Sequence, residues 1–274
     1  MKMANARRKR LFGLLWLVVP LTIFGYFTRY AFAQSKQPEP VHRRQKIIDT
    51  YYGGLEWKGG GLVTFWFDDA WLSQYTEGFP ILEYYGYTAA LAVPTQLVGF
   101  DAYMNWYQVR RLAHGGWEVV SHSRTHDCSH VEGPFSETVD EILGGKSDLL
   151  DYGGIVSDIY VAPCGRTSGE ADVLVKQYFK AQRLVEWGLN GLPLNEPYAI
   201  KTIEVGRETT LEDVGEWVAE AEITRSWLIL MFHQIDYSDS PHGTTPEMLG
   251  EIVAKISKSG LQVVLPTQVL GIKK

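Results

Sequence analysis

Short, wholly apolar runs alternate with amphipathic ones along most of the chain. Gly61-Leu-Val-Thr-Phe-Trp-Phe67 is apolar and rich in β-formers, which predicts a buried strand. The same reading predicts strands at 88–93, 117–121, 159–162, 181–184, 227–232 and 261–265. Between them, helical patterns fall at 74–85, 104–114, 135–150, 169–179 and 211–223, and from Pro246 to about residue 258. Thr210 with Asp213 reads as a capping box, and Thr245-Pro246 as an N-cap followed by proline at the first helical position. Strand–helix alternation implies parallel pairing through right-handed crossovers. Seven such strands in one stretch predict an α/β fold of distorted (β/α)7 barrel type, with its chemistry at the C-terminal strand ends.

The first 33 residues break this rhythm. Lys2, Arg7, Arg8, Lys9 and Arg10 precede an uncharged apolar run from Leu11 to Thr28, and Ala31-Phe32-Ala33 follows. A basic flank, an apolar run and an A-x-A site read as a signal peptide, or as a membrane anchor through residues 11–28. Either places the rest of the chain outside the cytoplasm, secreted, in the cell envelope or tethered to the membrane. Residues 34–45 are polar with two prolines and read as a linker, leaving residues 46–274 as a single domain.

Charge sharpens the division. The whole chain carries 26 Lys+Arg and 32 Asp+Glu, a net charge of −6. Without residues 1–33, which hold six basic residues and no acid, 20 face 32, a net of −12. That excludes a nucleic-acid-binding surface of the usual basic kind. The 35 aromatic residues exclude disorder, and two cysteines exclude a disulfide scaffold. No G-x-G-x-x-G or P-loop follows a strand, which weakens a nucleotide-binding reading.

Candidate chemistry sits where a barrel would put it. The first strand runs into Asp68-Asp69, two carboxylates able to divide metal binding and proton transfer. The third ends at Ser121-His122-Ser-Arg-Thr-His126; two His four apart lie on one face of a helical turn, close enough to share a divalent ion. Two imidazoles and a carboxylate suit Zn2+ with an open position. The strand at 227–232 ends at His233, with Asp236 three residues on. His42 and His242 read as solvated loop residues, His114 as a helix end, and His130 as a decoy.

Thr64-Phe-Trp-Phe-Asp68-Asp69-Ala70, His122-Ser-Arg-Thr-His126, Ala162-Pro163-Cys164-Gly165 and Leu228-Ile-Leu-Met-Phe-His233 resemble, in order, the motifs of the polysaccharide deacetylases, the NodB-homology or carbohydrate esterase 4 family. The resemblance spans roughly residues 60–270 and implies a distorted (β/α)7 barrel that removes acetyl groups from carbohydrate with a metal ion. By position, Asp69, His122 and His126 would bind one divalent ion, expected to be Zn2+. Asp68 would be the general base and His233 the general acid. The backbone N–H of Cys164, between Pro163 and Gly165, would help to hold the oxyanion. The chain departs from the family where Gly gives way to Ala70, a mild change if its φ is negative. Val161 also replaces an Arg that orients the base, leaving Arg166 or Arg183 for that part, and the Asp–Trp element that orients the acid is not evident in 183–192. Asp236 is then a candidate to orient His233.

The expected substrate is an N-acetylated polysaccharide such as peptidoglycan, poly-N-acetylglucosamine or a chitin-like glycan. An O-deacetylase of acetylated xylan and an inactive carbohydrate-binding domain on the same fold are the alternatives. No nucleic-acid partner and no obligate protein partner are implied. Cys128 and Cys164 both fall in motif loops, either paired or as free thiols. Trp66, Trp71, Trp106 and Trp187 are candidates for sugar stacking.

Overall fold

The computed structural model describes residues 57–271. The signal or anchor at 1–33, the linker at 34–45 and the domain's first residues lie outside that range. Among the described residues no helix is long and apolar enough to cross a membrane.

Seven parallel strands close into a barrel: β1 (Leu62–Phe67), β2 (Ala90–Val93), β3 (Glu118–Ser121), β4 (Ile159–Val161), β5 (Ala181–Trp187), β6 (Ile200–Glu204) and β7 (Trp227–Phe232). β1 meets β7 along its whole length, from Leu62↔Trp227 to Phe67↔Phe232. Its other edge is divided. Leu62 and Val63 pair with a short β8 (Gln262–Val263), and only Trp66↔Ala90 and Phe67↔Leu91 join it to β2. The number of barrel strands matches the sequence pattern, but the membership does not. The predicted strand at 261–265 is the short β8 outside the ring, and β6 takes the place in the ring.

Parity along the strands sorts the core. Val63, Phe65 and Phe67 pack with helical residues such as Leu82, Leu249 and Ile252 in the layer between barrel and helices. Leu62 and Trp66 join Ala90, Ala92, Val120, Ile159, Ala181, Ile200, Trp227 and Ile229 inside the barrel. Both faces of β1 are therefore buried, which is why its sequence is a continuous apolar run. Each of these large side chains contributes roughly 1.5–3 kcal/mol by leaving water.

The helices begin where the side chains allow. Asn105 and Gln108 form a capping box at α2 (Trp106–His114), and Thr210 and Asp213 another at α6 (Leu211–Thr224), as the sequence predicts. Thr245 Oγ1 accepts from Met248 N at the start of α7 (Pro246–Lys258). The helix predicted at 74–85 is a π-turn (Gln74–Gly78) leading into α1 (Phe79–Tyr84). The one predicted at 135–150 is α3 (Phe135–Val139), a π-turn (Asp140–Gly144) and α4 (Gly145–Gly153). α5 (Gly169–Tyr178) follows, and α8 (Pro266–Leu270) closes the fold.

Candidate active site

The inward parity of the strands continues past their ends. Counting by twos from Trp66 reaches Asp68; from Val120, His122; from Ala181, Arg183; from Ile200, Glu204; from Ile229, His233. These five residues from five strands face one barrel mouth.

On one side of it, Asp69 Oδ1 lies 3.4 Å from His122 Nε2 and 3.3 Å from His126 Nε2. The second oxygen accepts from Trp71 Nε1 at 3.0 Å. His122 Nδ1 is 2.9 Å from Val161 O; a carbonyl can only accept, so Nδ1 carries the hydrogen and Nε2 presents a lone pair to the cluster. Burial alone would raise the Asp69 pKa, but His122, His126 and His233 outweigh it and hold the carboxyl well below its ordinary range. The His126 pKa is lowered by burial and by His122, against the pull of Asp69.

The helical-turn reading of His122 and His126 is incorrect. Ser123 and His126 adopt φ of 64° and 63°, so the segment is an irregular loop, and the rings meet edge-to-face 4.7 Å apart. The loop is clamped from outside. Glu141 accepts from the backbone of Arg124 and Thr125 and from Thr125 Oγ1, while Arg124 pairs with Asp140 and Asp148. Asp69 and Ala70 are also left-handed, at 75° and 57°. Ala70 is thus not the mild change that a negative φ would make it; it sits where glycine would be unstrained. Among the described residues, five of the six non-glycine residues with positive φ lie in the motif loops.

The three residues fit a divalent ion. Their ligand atoms lie within 4.8 Å of one another. Asp69 Oδ1 is buried, has no hydrogen-bond partner and faces two imidazole nitrogens.

Beside this cluster, Asp68 is paired with Arg183, which is fully buried. The guanidinium lies 5.1 Å from the centre of the Trp66 ring and contacts Met231. Of the two candidate arginines, Arg183 therefore meets Asp68. Arg166 does not: it is exposed and pairs with Glu132, because the chain has already turned outward at Gly165. Gln74 Nε2 donates to Asp68 O at 2.5 Å and to His233 O at 2.9 Å, tying the ends of β1 and β7 together.

On the other side, His233 Nε2 is 3.9 Å from Asp69 Oδ2, and its Nδ1 is 3.2 Å from Glu204 Oε1, an ion-pair contact that is not aligned as a hydrogen bond. Burial lowers the His233 pKa, but Glu204, Asp68 and Asp69 outweigh it and raise it above the ordinary value. Glu204 is lowered in turn, burial being outweighed by His233 and His242. Asp236 is not the orienting residue. Its carboxylate caps Ser238 N and Oγ, the local turn to which its position commits it. His242 is not merely solvated; its Nδ1 lies 2.7 Å from the same Glu204 oxygen.

The third motif forms a turn over Pro163–Gly165, with Cys164 exposed and left-handed at φ 54°. A Cβ on Gly165 would come within 2.3 Å of Val185, so only glycine lets this turn lie on β5. Cys128 and Cys164 are joined by a disulfide, Cα–Cα 5.7 Å, which ties the His126 loop to this turn. Trp66 is core and no platform. Trp71 stacks on Tyr103 at 4.5 Å beside Asp69; Trp106 packs on Tyr152; Trp187 is 63% exposed at the end of β5. His130 is buried against Asp127 O, outside the cluster.

The parallel barrel thus carries carboxylates and imidazoles at its mouth, and comparison adds to this. Residues 58–180 match the polysaccharide deacetylase family model. The resemblance read from the motifs is thus met by a polysaccharide deacetylase match over the segment that carries the first three of them. No curated protein matches in sequence. Among solved structures, the chain is similar to the Streptococcus pyogenes deacetylase PplD in complex with acetate, at 18% identity and TM-score 0.52, over 65% of this chain and 78% of that one. It is similar to a family 4 acetyl xylan esterase from Clostridium thermocellum in complex with a cobalt ion, at 21% identity and TM-score 0.54, over 77% and 90%. A third is the esterase family 4 domain of a multidomain xylanase from the hindgut metagenome of Trinervitermes trinervoides, at 17% identity and TM-score 0.52, over 77% and 90%. At these identities the likeness is one of fold.

Proposed function

We propose that this protein is a metal-dependent deacetylase of N-acetylated polysaccharide, such as peptidoglycan, poly-N-acetylglucosamine or a chitin-like glycan. The observation that carries the reading is the unpartnered, buried Asp69 Oδ1 facing two imidazole nitrogens, with Asp68–Arg183 on one flank and His233–Glu204 on the other. Asp69, His122 and His126 would hold one divalent ion, Zn2+ by donor type. Such an ion, when bound, polarises a carbonyl and makes water more acidic.

The chain's own residues do the rest. Asp68, paired with Arg183, accepts the proton of the attacking water. His233, whose charged form is favoured by Glu204, gives a proton to the leaving nitrogen, which departs poorly without one. The Cys164 N–H donates to the oxyanion from a turn fixed by Pro163, Gly165 and the disulfide. Presence of the base, the acid and all three ligands argues against an inactive carbohydrate-binding domain. The disulfide also supports an extracytoplasmic location, with residues 1–33 as signal or anchor.

Acetate release from a panel of glycans, acetylated xylan included, tests the reading with and without added Zn2+. Activity on N-acetylated glycans, lost in Asp68→Asn while the bound metal stays, is the expected result. Turnover of xylan alone would replace the substrate class, and no turnover at all would overturn the assignment.

A further inference from the structure

The two nitrogens of His233 look in different directions. Nε2 faces Asp69, while Nδ1 faces Glu204 Oε1 at 3.2 Å. His242 Nδ1 reaches that same oxygen at 2.7 Å, and the two rings stand 5.4 Å apart. Ligand atoms from Glu204, His233 and His242 all lie within 4.8 Å of one another. We propose that these three residues form a second divalent-cation site, separate from Asp69, His122 and His126, and that its occupation silences the enzyme by capturing His233.

Three features make this a built site. His233 Nδ1 is buried and has no aligned hydrogen-bond partner, so a donor position is unspent. The loop that carries His242 is held in place: Asp236 N donates to Thr244 O, and Thr244 N to Gln234 O, both at 2.9 Å. Arg207 N donates to Pro241 O at 2.9 Å, and the Arg207 guanidinium donates to Ser238 O. A Cβ on Gly206 would come within 2.6 Å of Pro241 O, so glycine there lets the loop sit against the end of β6. Finally, the His242 side chain is 61% exposed, which leaves an open approach for a hydrated ion. Two imidazoles and a carboxylate are the donor set that zinc and its late first-row neighbours prefer.

The functional consequence rests on the proposed role of His233 as the acid. A cation on Nδ1 takes the lone pair that would otherwise be protonated, so the ring is no longer an imidazolium and lacks an easily given proton. The same cation neutralises Glu204, which favours the charged ring. This site is therefore inhibitory, unlike the first. It is also weaker, because an exposed loop histidine must be immobilised when the ion binds.

Titrating the metal-free full-length protein with Zn2+, by calorimetry and by elemental analysis, decides the matter. Two equivalents are expected in the wild type, the second at least ~tenfold weaker than the first. His242→Ala should bind one equivalent; exposure of the side chain leaves folding undisturbed, which circular dichroism checks. His122→Ala should lose the tighter equivalent and keep the weaker one. Acetate release should fall beyond one equivalent in the wild type and hold level in His242→Ala, each normalised to its own rate at one equivalent. A single equivalent in the wild type, or a second that survives in His242→Ala, overturns the site. Two equivalents with no excess-metal inhibition overturn its inhibitory role. Because binding is read without turnover, failure of the deacetylase reading would leave the two-equivalent result standing.

Discussion

Asp69, His122 and His126 on one side of the barrel mouth, and His233, Glu204 and His242 on the other, are both carboxylate–imidazole clusters, yet they are held in opposite ways. The first is set by backbone: residues at positive φ turn the chain immediately after β1 and β3, and Glu141 and Arg124 clamp the loop from outside. The second is set by side chains meeting across space. Glu204 leaves β6, His233 leaves β7, and His242 returns on a loop that Arg207 pins. Backbone placement concentrates its instructions in a few contiguous residues. Placement across space disperses them over strands that are distant in sequence. Among the described residues, Gln74 bonds the backbone of both Asp68 and His233, so the halves are braced where the ends of β1 and β7 diverge.

The strongest way to break the contrast is to remove one ligand of the backbone-set half. His122→Ala is expected to abolish the tighter metal equivalent and lower acetate release by at least ~10³-fold, about 4 kcal/mol of barrier. Retention of metal and rate together would show that this half is not the working site.

Arg183→Leu should cost about 3–5 kcal/mol of unfolding free energy, since Asp68 would be left buried and uncompensated. Denaturant unfolding measures it, and Asp68→Asn combined with Arg183→Leu should recover most of the loss. An Arg183→Leu chain as stable as wild type would mean that water already screens the pair.

Glu204→Gln acts on the other half alone. His233 has a raised pKa, so its acid form persists to higher pH than a free imidazole; removing the carboxylate should move the basic limb of kcat/KM to lower pH. At neutral pH the rate should fall by up to ~10²-fold, with the tighter metal equivalent retained. The sign for stability follows from the same shifts. Glu204 is lowered, and its contribution is lost as pH falls through that value; His233 is raised, and its contribution is lost as pH rises through it. The pair stabilises most between the two; the variant should lack the acid-side slope and keep a weaker basic-side one, because Asp68 and Asp69 still face His233. An unchanged pH profile would detach Glu204 from the acid.

The smallest effect is expected from Ala70→Gly. Relief of the left-handed strain, worth about 1–2 kcal/mol, is offset by a looser unfolded chain and a lost buried methyl, for a net change under ~1 kcal/mol. A larger gain in thermal stability would show that the motif loops store more strain than this balance allows.

The contrast also explains what could be read from the chain beforehand. Asp68, Asp69, His122 and His126 stand directly after strands whose apolar runs are unmistakable, so both the fold and the clustering of these residues were legible there. Even so, spacing suggested a helical turn for His122 and His126, because nothing in Ser-Arg-Thr signals two left-handed residues. Glu204 was hidden with its strand. Ile200-Lys-Thr-Ile-Glu204 is short, only partly buried and interrupted by polar residues, so β6 lacks the signature of its neighbours. Had it been recognised, the inward parity from Ile200 would have pointed to Glu204. Arg183 sat within the run predicted as a strand, but a buried arginine is recognisable only once Asp68 is known to face it. His242 carries no local signal; its placement depends on Gly206 and Arg207, more than thirty residues earlier.

The divided edge of β1 has a kinetic meaning. Six register pairs join β1 to β7, but the ring is closed towards β2 by just two, Trp66↔Ala90 and Phe67↔Leu91, with β8 filling the base. That two-rung clasp lies immediately before Asp68-Asp69. Opening it costs less than unravelling the β7 ladder, so of the two edges of β1 this is the one that yields first. In hydrogen exchange, the amides of the clasp should trade with solvent ahead of those between β1 and β7. Cation loaded at Asp69 would slow that exchange, because each excursion would have to shift a ligand to the ion. A short seam of the ring and the carboxylates at its mouth would thus share one fluctuation.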